Sequence, residues 1–436
     1  MEPTTLVAIA FCVLAYGLVS HRLEGTPVTA PMLFVLIGLL AGPLGLGLIH
    51  LEDAAADLII EVTLVLVLFS DASRIRLSEL RKSYGIPARL LVFGMPLTIG
   101  LGILLARPLF PGLSWAELAL LAAALAPTDA ALGQVVVSSP RVPVRIRQTL
   151  NVESGLNDGI AVPVVMVFLA AATVLAGGHG AGHESSHASE AGLGFALAQI
   201  GFGPIAGLLV ACPAAWLVQF AVRAKSISPA YERFAGPAIA MGAFGVAELM
   251  GGNGFIAAFT AGLVVGTVST SVRENLQEFA EDEGQLFALL AFLVFGATIL
   301  PPALEVLDWR VALYIAASLT VIRMVPVALA LLGSGLRAPS VAFLGWFGPR
   351  GLATILFALM VSEAEGIPNH ERLVHVLALA VTASTFAHGL SAAPLASIYG
   401  RWVEKLRASE PEGAECLSAP ELPVRIKHRA ALEHTP

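Results

Sequence analysis

Apolar runs of about 20 residues follow one another along most of this chain, and short polar stretches separate them. As a helix, such a run crosses the hydrocarbon core of a bilayer, which is about 30 Å thick. Charged or Gly/Pro-rich breaks predict thirteen spans, at 5–21, 31–49, 57–73, 86–106, 115–136, 148–175, 193–221, 231–250, 253–269, 284–300, 309–332, 341–362 and 373–399. The pattern predicts an all-α polytopic membrane protein over residues 1–400, with a polar cytoplasmic tail at 401–436.

The composition agrees with this prediction. Hydrophobic residues make up 56% of the chain and charged residues only 13%, against about 25% charged in soluble domains. We therefore expect the lipid bilayer as a partner, no nucleic acid, and no cofactor. The three cysteines, Cys12, Cys212 and Cys416, lie far apart, which argues against a disulfide framework.

Basic residues fall on alternate loops between the predicted spans. One set of loops holds most of them, including Arg74, Arg76 and the 141–147 stretch, whereas the opposite loops hold only Arg107, Arg310 and Arg372. Cytoplasmic loops carry an excess of Lys and Arg. The chain is therefore predicted to lie in the plasma (inner) membrane with its N-terminus outside and its C-terminus in the cytoplasm.

Few ionisable residues remain inside the predicted spans. A charge at the centre of a membrane helix costs about 2.5–3.5 kcal/mol and usually marks an ion or proton pathway. The acids outnumber the arginines, which indicates a site for a positively charged ligand. The set is Asp71, Asp129, Glu153, Asp158, Arg323 and Arg350.

The stretch NVESGLNDG, residues 151–159, concentrates polar groups in one span. On a helix, Glu153 and Asn157 share one face, and Ser154 and Asp158 share the neighbouring face. This spacing indicates two roles: Glu153 pairs with an arginine, and Asp158 meets the transported ion.

Two spans contain a proline next to a charge. Pro127 precedes Thr128 and Asp129 in the fifth span, and Pro349 lies beside Arg350 in the twelfth. Proline interrupts a helix, and paired interrupted segments in the two halves of a transporter point to its binding site.

These motifs support a family assignment. APTDAAL, ESGLNDG, VIRMVP and GPRGLATI, with LIGLLAGPLGLG, GNGFIAAFTAGLVVG and FAHGL, resemble the monovalent cation:proton antiporters, in the NhaP-like branch of the sodium/proton exchangers. The resemblance covers nearly all of residues 5–400. It implies a homodimer and an inverted-repeat fold with two crossed discontinuous helices, in which a core bundle (about 86–175 and 309–399) moves against interface helices.

The resemblance also implies roles for individual residues. Asp158 would bind the cation or protons. Its neighbours Thr128, Asp129 and Ser154 would complete the coordination, and Asn157 is associated with electroneutral exchange. Glu153 would be bridged to Arg323, and Arg350 would lie where the broken helices cross. Asp71 matches only loosely an acid of some relatives. The implied function, in pH homeostasis, is exchange of protons for a monovalent cation, with sodium expected and lithium or potassium as alternatives.

A single carboxylate that holds either a proton or a cation, exposed to each side in turn, suffices to couple the two fluxes. A proton-coupled carrier of another cation and a cation channel are the alternative interpretations. Saturable, proton-coupled flux would distinguish a carrier from a pore.

A competing motif lies in the predicted external loop 176–192. HESSH places His183 and His187 around Glu184, which on a helix is typical of a zinc metalloprotease. The loop is rich in Gly, Ser and Ala, and such a protease would carry the motif inside an apolar helix. A solvated loop is therefore the favoured interpretation, with weak metal binding or a pH effect as alternatives.

Overall fold

A computed structural model describes residues 2–23, 26–51, 53–74, 85–129, 132–177, 185–268, 270–364, 366–410 and 413–417. Every regular element within these residues is a helix, which confirms the all-α prediction. The first half contains α1 (Pro3–Leu23), α2 (Ala30–Ala41), α3 (Asp53–Arg74), α4 (Gly85–Leu109), α5 (Trp115–Ala124), α6 (Gln134–Val137) and α7 (Val144–Gly177).

The second half begins with α8 (Ser185–Arg223), α9 (Pro229–Glu232), α10 (Ala235–Leu249), α11 (Gly254–Val268), α12 (Thr270–Thr298) and α13 (Leu300–Glu305). It continues with α14 (Trp309–Leu319), α15 (Val321–Ala330), α16 (Ala338–Trp346), α17 (Leu352–Glu363) and α18 (His370–Ser409). Each predicted span overlaps one helix or an interrupted pair, but α2 ends at Ala41, well before the end predicted at residue 49. The number of membrane crossings stays a prediction.

Six helical stretches among the described residues are long and apolar enough to cross a membrane. They are Pro3–Leu23, Gly85–Leu109, Val144–Val174, Leu197–Arg223, Trp309–Ala330 and His370–Ser409. Three helices extend well beyond the predicted spans. α8 begins at Ser185, inside the segment 176–192 that was predicted to be a loop, α12 begins at Thr270, and α18 ends at Ser409. Hydropathy marks the hydrocarbon boundary, whereas Glu, Gln, Lys and Arg continue a helix readily in water.

Glycines let several helices approach to backbone contact. A Cβ on Gly38 of α2 would overlap with the carbonyl of Leu293 on α12, and one on Gly296 of α12 would overlap with the carbonyl of Val35. Small residues at such crossings are typical of membrane helix pairs, in which close packing drives association. In this way α2 is fixed on α12, and α3 packs on α11 by the same device at Gly262.

The helices between residues 86–175 and 309–399 pack closely on one another. α5 lies on α4 and α7, α14 on α4, and α17 on α18. A cluster of buried apolar side chains joins α4, α6, α7, α16 and α18. Its members include Ile86, Val137, Ile146, Phe343 and Tyr399. The division of the chain into core and interface domains stays a prediction.

The chain after α18 returns to the helix bundle. The Glu415 side chain is 1% exposed, and its Oε1 accepts hydrogen bonds from the Arg337 amide at 2.8 Å and from Ser340 Oγ at 2.9 Å. Arg337 is the N-cap of α16 and makes no cap with its own side chain, so Glu415 supplies the cap from the tail. Residues 418–436 of the predicted polar tail lie outside the described residues.

We predict that Glu415→Ala destabilises the protein more than Glu410→Ala. Loss of a helix N-cap costs about 1 kcal/mol, and here the buried Ser340 hydroxyl also loses one of its two hydrogen-bond partners. Glu410 pairs with Arg337 at the surface, and such pairs contribute about 0.2–1 kcal/mol. Thermal unfolding in detergent measures both variants. Equal unfolding midpoints would contradict the cap.

Candidate functional site

The first interruption separates α5 from α6. α5 ends at Ala124, and residues 126–129 are not helical. Pro127 lacks an amide hydrogen and clashes with the preceding turn, which prevents the helix from continuing. Thr128 and Asp129 therefore sit on an open backbone, and both are buried.

The second interruption separates α16 from α17. α16 ends at Trp346, and residues 347–351 are not helical before α17 begins at Leu352. Pro349 is again the breaking residue. Position 348 has room only for glycine, because an added Cβ would lie 2.6 Å from Arg323 Nε and 3.0 Å from Thr128 Cγ2.

The two interruptions bind each other directly. The Asp129 amide donates to the Pro349 carbonyl at 2.7 Å, and the Leu352 amide donates to Asp129 Oδ2 at 2.9 Å. Thr354 Oγ1 donates to the Ala124 carbonyl at 3.2 Å. A carboxylate at a helix N-terminus offsets the positive end of the helix dipole, so Asp129 stabilises the start of α17.

The polar turn of α7 attaches to the first interruption. Ser154 Oγ donates to the Thr128 carbonyl at 2.5 Å, and Asn157 Nδ2 donates to Thr128 Oγ1 at 2.8 Å. Asp158 lies one turn after Ser154 on the same face of α7, and its side chain is 5% exposed. The turn thus groups Thr128, Ser154, Asn157 and Asp158 in one buried region.

The side-chain oxygen of Asn157 is a buried acceptor in this region. Asn157 Oδ1 is buried and accepts no hydrogen bond from the described residues. Buried polar atoms are nearly always satisfied, and an exception calls for a ligand or water. The amide oxygen is therefore available to a cation or to a hydrated proton.

The face of α7 that Glu153 shares with Asn157 also carries an ion pair. Arg323 Nη2 lies 2.5 Å from Glu153 Oε1, and the two side chains are 1% and 2% exposed. Arg323 stands in α15, so the pair joins α15 to α7. It also places a positive charge next to the second interruption, because Arg323 Nε lies beside Gly348.

Arg350 is fully buried in the second interruption. Its Nη2 donates to the Ser318 carbonyl at 3.0 Å, and its Nη1 donates to the Gly348 carbonyl. Ser318 lies in the last turn of α14, where carbonyl groups have no intrahelical donor. Arg350 therefore neutralises the negative end of a helix, as Asp129 does for a positive end.

Asp71 lies in α3, outside the two interruptions and the polar turn of α7. It is buried near the C-terminal end of α3, a helix that packs against α7. Its role in ion binding stays a prediction.

Part of the HESSH motif lies outside the described residues. His183 and Glu184 lie outside the described residues, and the His187 side chain is likewise not among them. In the part of the chain that is described, no cluster of three or more His, Cys, Asp or Glu residues could hold a metal ion.

Several residues of the site did not stand out in the sequence. Ser384 and His388 of α18 contact the second interruption, and Ser318 receives Arg350. The sequence offers one signal for these residues, which is the position of His388 within an apolar run, in the motif FAHGL.

We predict that Gly351→Ala destabilises the protein. An added Cβ would lie 2.8 Å from both Cβ and Cγ of Asp129, and two hydrogen bonds hold Asp129 in place. Overpacking of this kind costs about 1–3 kcal/mol, so the thermal unfolding midpoint should fall. Gly245→Ala is the control, because nothing lies within 4 Å of its added Cβ. Equal midpoints for the two variants would refute the close approach.

We predict that Glu153→Ala is strongly destabilising, whereas replacing both partners is less so. Removing one member of a buried ion pair leaves an uncompensated charge, at a cost of about 3–5 kcal/mol. Glu153→Leu combined with Arg323→Met removes both charges. Thermal unfolding of the single and double variants tests this order, and an unchanged midpoint for Glu153→Ala contradicts it.

Comparison with known proteins agrees with the resemblance seen in the sequence. The transmembrane sodium/hydrogen exchanger family matches residues 7–398. The potassium/proton antiporter NhaP of Alkalimonas amylolytica is 30% identical over 95% of this chain and 70% of its own length. The potassium/proton antiporter NhaP2 of Shewanella oneidensis is 27% identical over 85% of the chain, which spans 62% of that relative.

The fold has a counterpart among solved structures. The sodium proton antiporter MjNhaP1 of Methanocaldococcus jannaschii aligns with a TM-score of 0.68 at 20% identity, over 93% of this chain and 99% of that one. The chain is an integral membrane protein and belongs to the sodium/hydrogen exchanger family, whose members are transporters and not enzymes.

Proposed function

We propose that the protein exchanges a monovalent cation for protons, and that both compete for Asp158. Family membership supports the exchange reaction. The observation that carries the assignment to a site is the polar turn of α7, which is hydrogen-bonded to Thr128 and leaves the buried oxygen of Asn157 without a donor.

The ligands of this region suit a hard cation. Carboxylate, carbonyl, hydroxyl and amide oxygens prefer such ions, whereas soft metals prefer thiolates. The Thr128 carbonyl accepts from Ser154, and a carbonyl oxygen has two lone pairs. Thr128 can therefore stay bonded to α7 and still contribute an oxygen to the ion, with Asp158 supplying the charge.

Exchange follows from competition at one carboxylate. A protonated Asp158 is neutral, and a sodium or potassium ion on the ionised carboxylate gives the same net charge. Moving a bare carboxylate through the membrane interior is costly, so the carrier changes sides only when one ligand is bound. Alternating exposure of this site then couples opposite fluxes.

The proposal extends to the stoichiometry, the membrane orientation, the oligomeric state and the transported cation. Exchange of one cation for one proton in each cycle is electroneutral. The neutral amide of Asn157 fits that stoichiometry. The positive-inside pattern supports an external N-terminus and a cytoplasmic C-terminus. The resemblance supports a homodimer. Sodium and potassium are candidate cations, because similar proteins are named for each of them. Lithium, an alkali ion of the same charge, is the third candidate.

We predict that Asp158→Asn abolishes cation-dependent proton flux in proteoliposomes and keeps the thermal unfolding midpoint close to that of the wild type. The amide cannot release a proton or carry the charge that a cation needs. Flux is measured with sodium, potassium and lithium gradients at a clamped membrane potential.

Asp308→Asn is the matched control. Asp308 is exposed at the N-terminus of α14, where asparagine caps as well as aspartate, so its flux should equal that of the wild type. Normal exchange by Asp158→Asn would refute the assignment.

A further inference from the structure

His388 is a buried histidine that the proposed exchange mechanism does not use. It stands in α18 and is 1% exposed. Its ring lies 5.1 Å from that of Trp346, centroid to centroid, at the end of α16. It therefore borders the second interruption.

The histidine belongs to a chain of hydrogen bonds that closes on the interruption. The Arg350 amide donates to Ser384 Oγ at 2.7 Å, and Ser384 Oγ lies 3.1 Å from His388 Nδ1. His388 Nε2 lies 2.9 Å from the Trp346 carbonyl. The chain begins and ends on the interrupted helix, and both of its middle members come from α18.

One neutral form of the imidazole satisfies this chain. The Trp346 carbonyl can only accept, so Nε2 carries the hydrogen in this form. The Ser384 carbonyl, 2.9 Å from Nδ1, then receives no hydrogen from the ring. Ser384 Oγ accepts from Arg350 and has its own hydrogen left for Nδ1. This arrangement adds no third positive charge to a region that already holds Arg323 and Arg350.

The same chain fixes the orientation of one peptide group. The Pro349 carbonyl and the Arg350 amide belong to a single peptide unit, which is planar. Its carbonyl accepts from the Asp129 amide, and its N–H donates to Ser384. Asp129 and Ser384 therefore hold opposite edges of one rigid plane.

We propose that His388, acting through Ser384, is a positioning residue for ion binding. It keeps the Pro349–Arg350 peptide in the orientation that Asp129 requires, and Asp129 carries Thr128 with it. This inference rests on the proposed function, because its consequence is a change in the affinity for the transported cation. Without His388, Ser384 loses its acceptor, the peptide plane rotates more freely, and the Thr128 oxygens are less well placed.

The experiment compares four variants in proteoliposomes, with apparent KM and maximal rate measured for sodium and potassium. We expect His388→Leu and Ser384→Ala to raise the apparent KM about tenfold, which corresponds to ~1.4 kcal/mol, and to change the maximal rate much less. His388→Gln should stay within about threefold of the wild-type KM, because its amide can donate to Trp346 and accept from Ser384. His375→Leu, in the same helix and half-buried, should leave KM unchanged.

Purely structural damage predicts a different outcome. It would lower the maximal rate and the unfolding midpoint, and glutamine would not rescue it. Wild-type KM values in both His388→Leu and Ser384→Ala would overturn the inference. So would a failure of His388→Gln to restore KM.

The outcome also separates this inference from the proposed function. If the wild type exchanges cations and Asp158→Asn does not, while His388→Leu and Ser384→Ala behave as wild type, only the positioning role fails. If the wild type shows no cation-dependent proton flux, both proposals are overturned.

Discussion

Peptide groups of an interrupted helix must find partners inside the membrane, and the site depends on this constraint. Each unsatisfied group in hydrocarbon costs several kcal/mol, and open backbone is tolerated only where protein or water satisfies it. Here one interruption satisfies the other, since the Asp129 amide binds the Pro349 carbonyl and the Asp129 carboxylate binds the Leu352 amide. Each break supplies hydrogen-bond partners to the other, which explains why two distant prolines occur together with the residues that join them.

The buried charges follow from the same constraint. Asp129 stands at the start of α17, where a helix presents amides, and Arg350 stands at the end of α14, where a helix presents carbonyls. The Glu153–Arg323 pair neutralises itself on one face of α7. Each of these four charges therefore has a partner in the scaffold, whereas Asp158 lies on the neighbouring face with Ser154.

The sequence predicts those features that arise from residues close together in the chain. Proline and glycine mark both interruptions, and helical periodicity separates the Glu153 face from the Asp158 face. The roles of His388 and Glu415 could not be predicted, because their partners Trp346 and Arg337 lie 42 and 78 positions away. The ends of α12 and α18 were also missed, since hydropathy locates the edge of the hydrocarbon and not the end of a helix.

The amide at residue 157 connects the scaffold to the charge balance of transport. Its Nδ2 donates to Thr128 Oγ1, and an ionised aspartate in that place could only accept. The direction of the bond would then reverse, and the Thr128 hydroxyl would donate to the new carboxylate. The hydrogen bond to this carboxylate would fix the orientation of the Thr128 hydroxyl. The hydroxyl could then not rotate its hydrogen away from a cation that approaches Thr128 Oγ1. A second carboxylate would also add a titratable charge one residue from Asp158. Asparagine thus holds the first interruption to α7, and under the proposed mechanism it limits the site to one exchangeable charge.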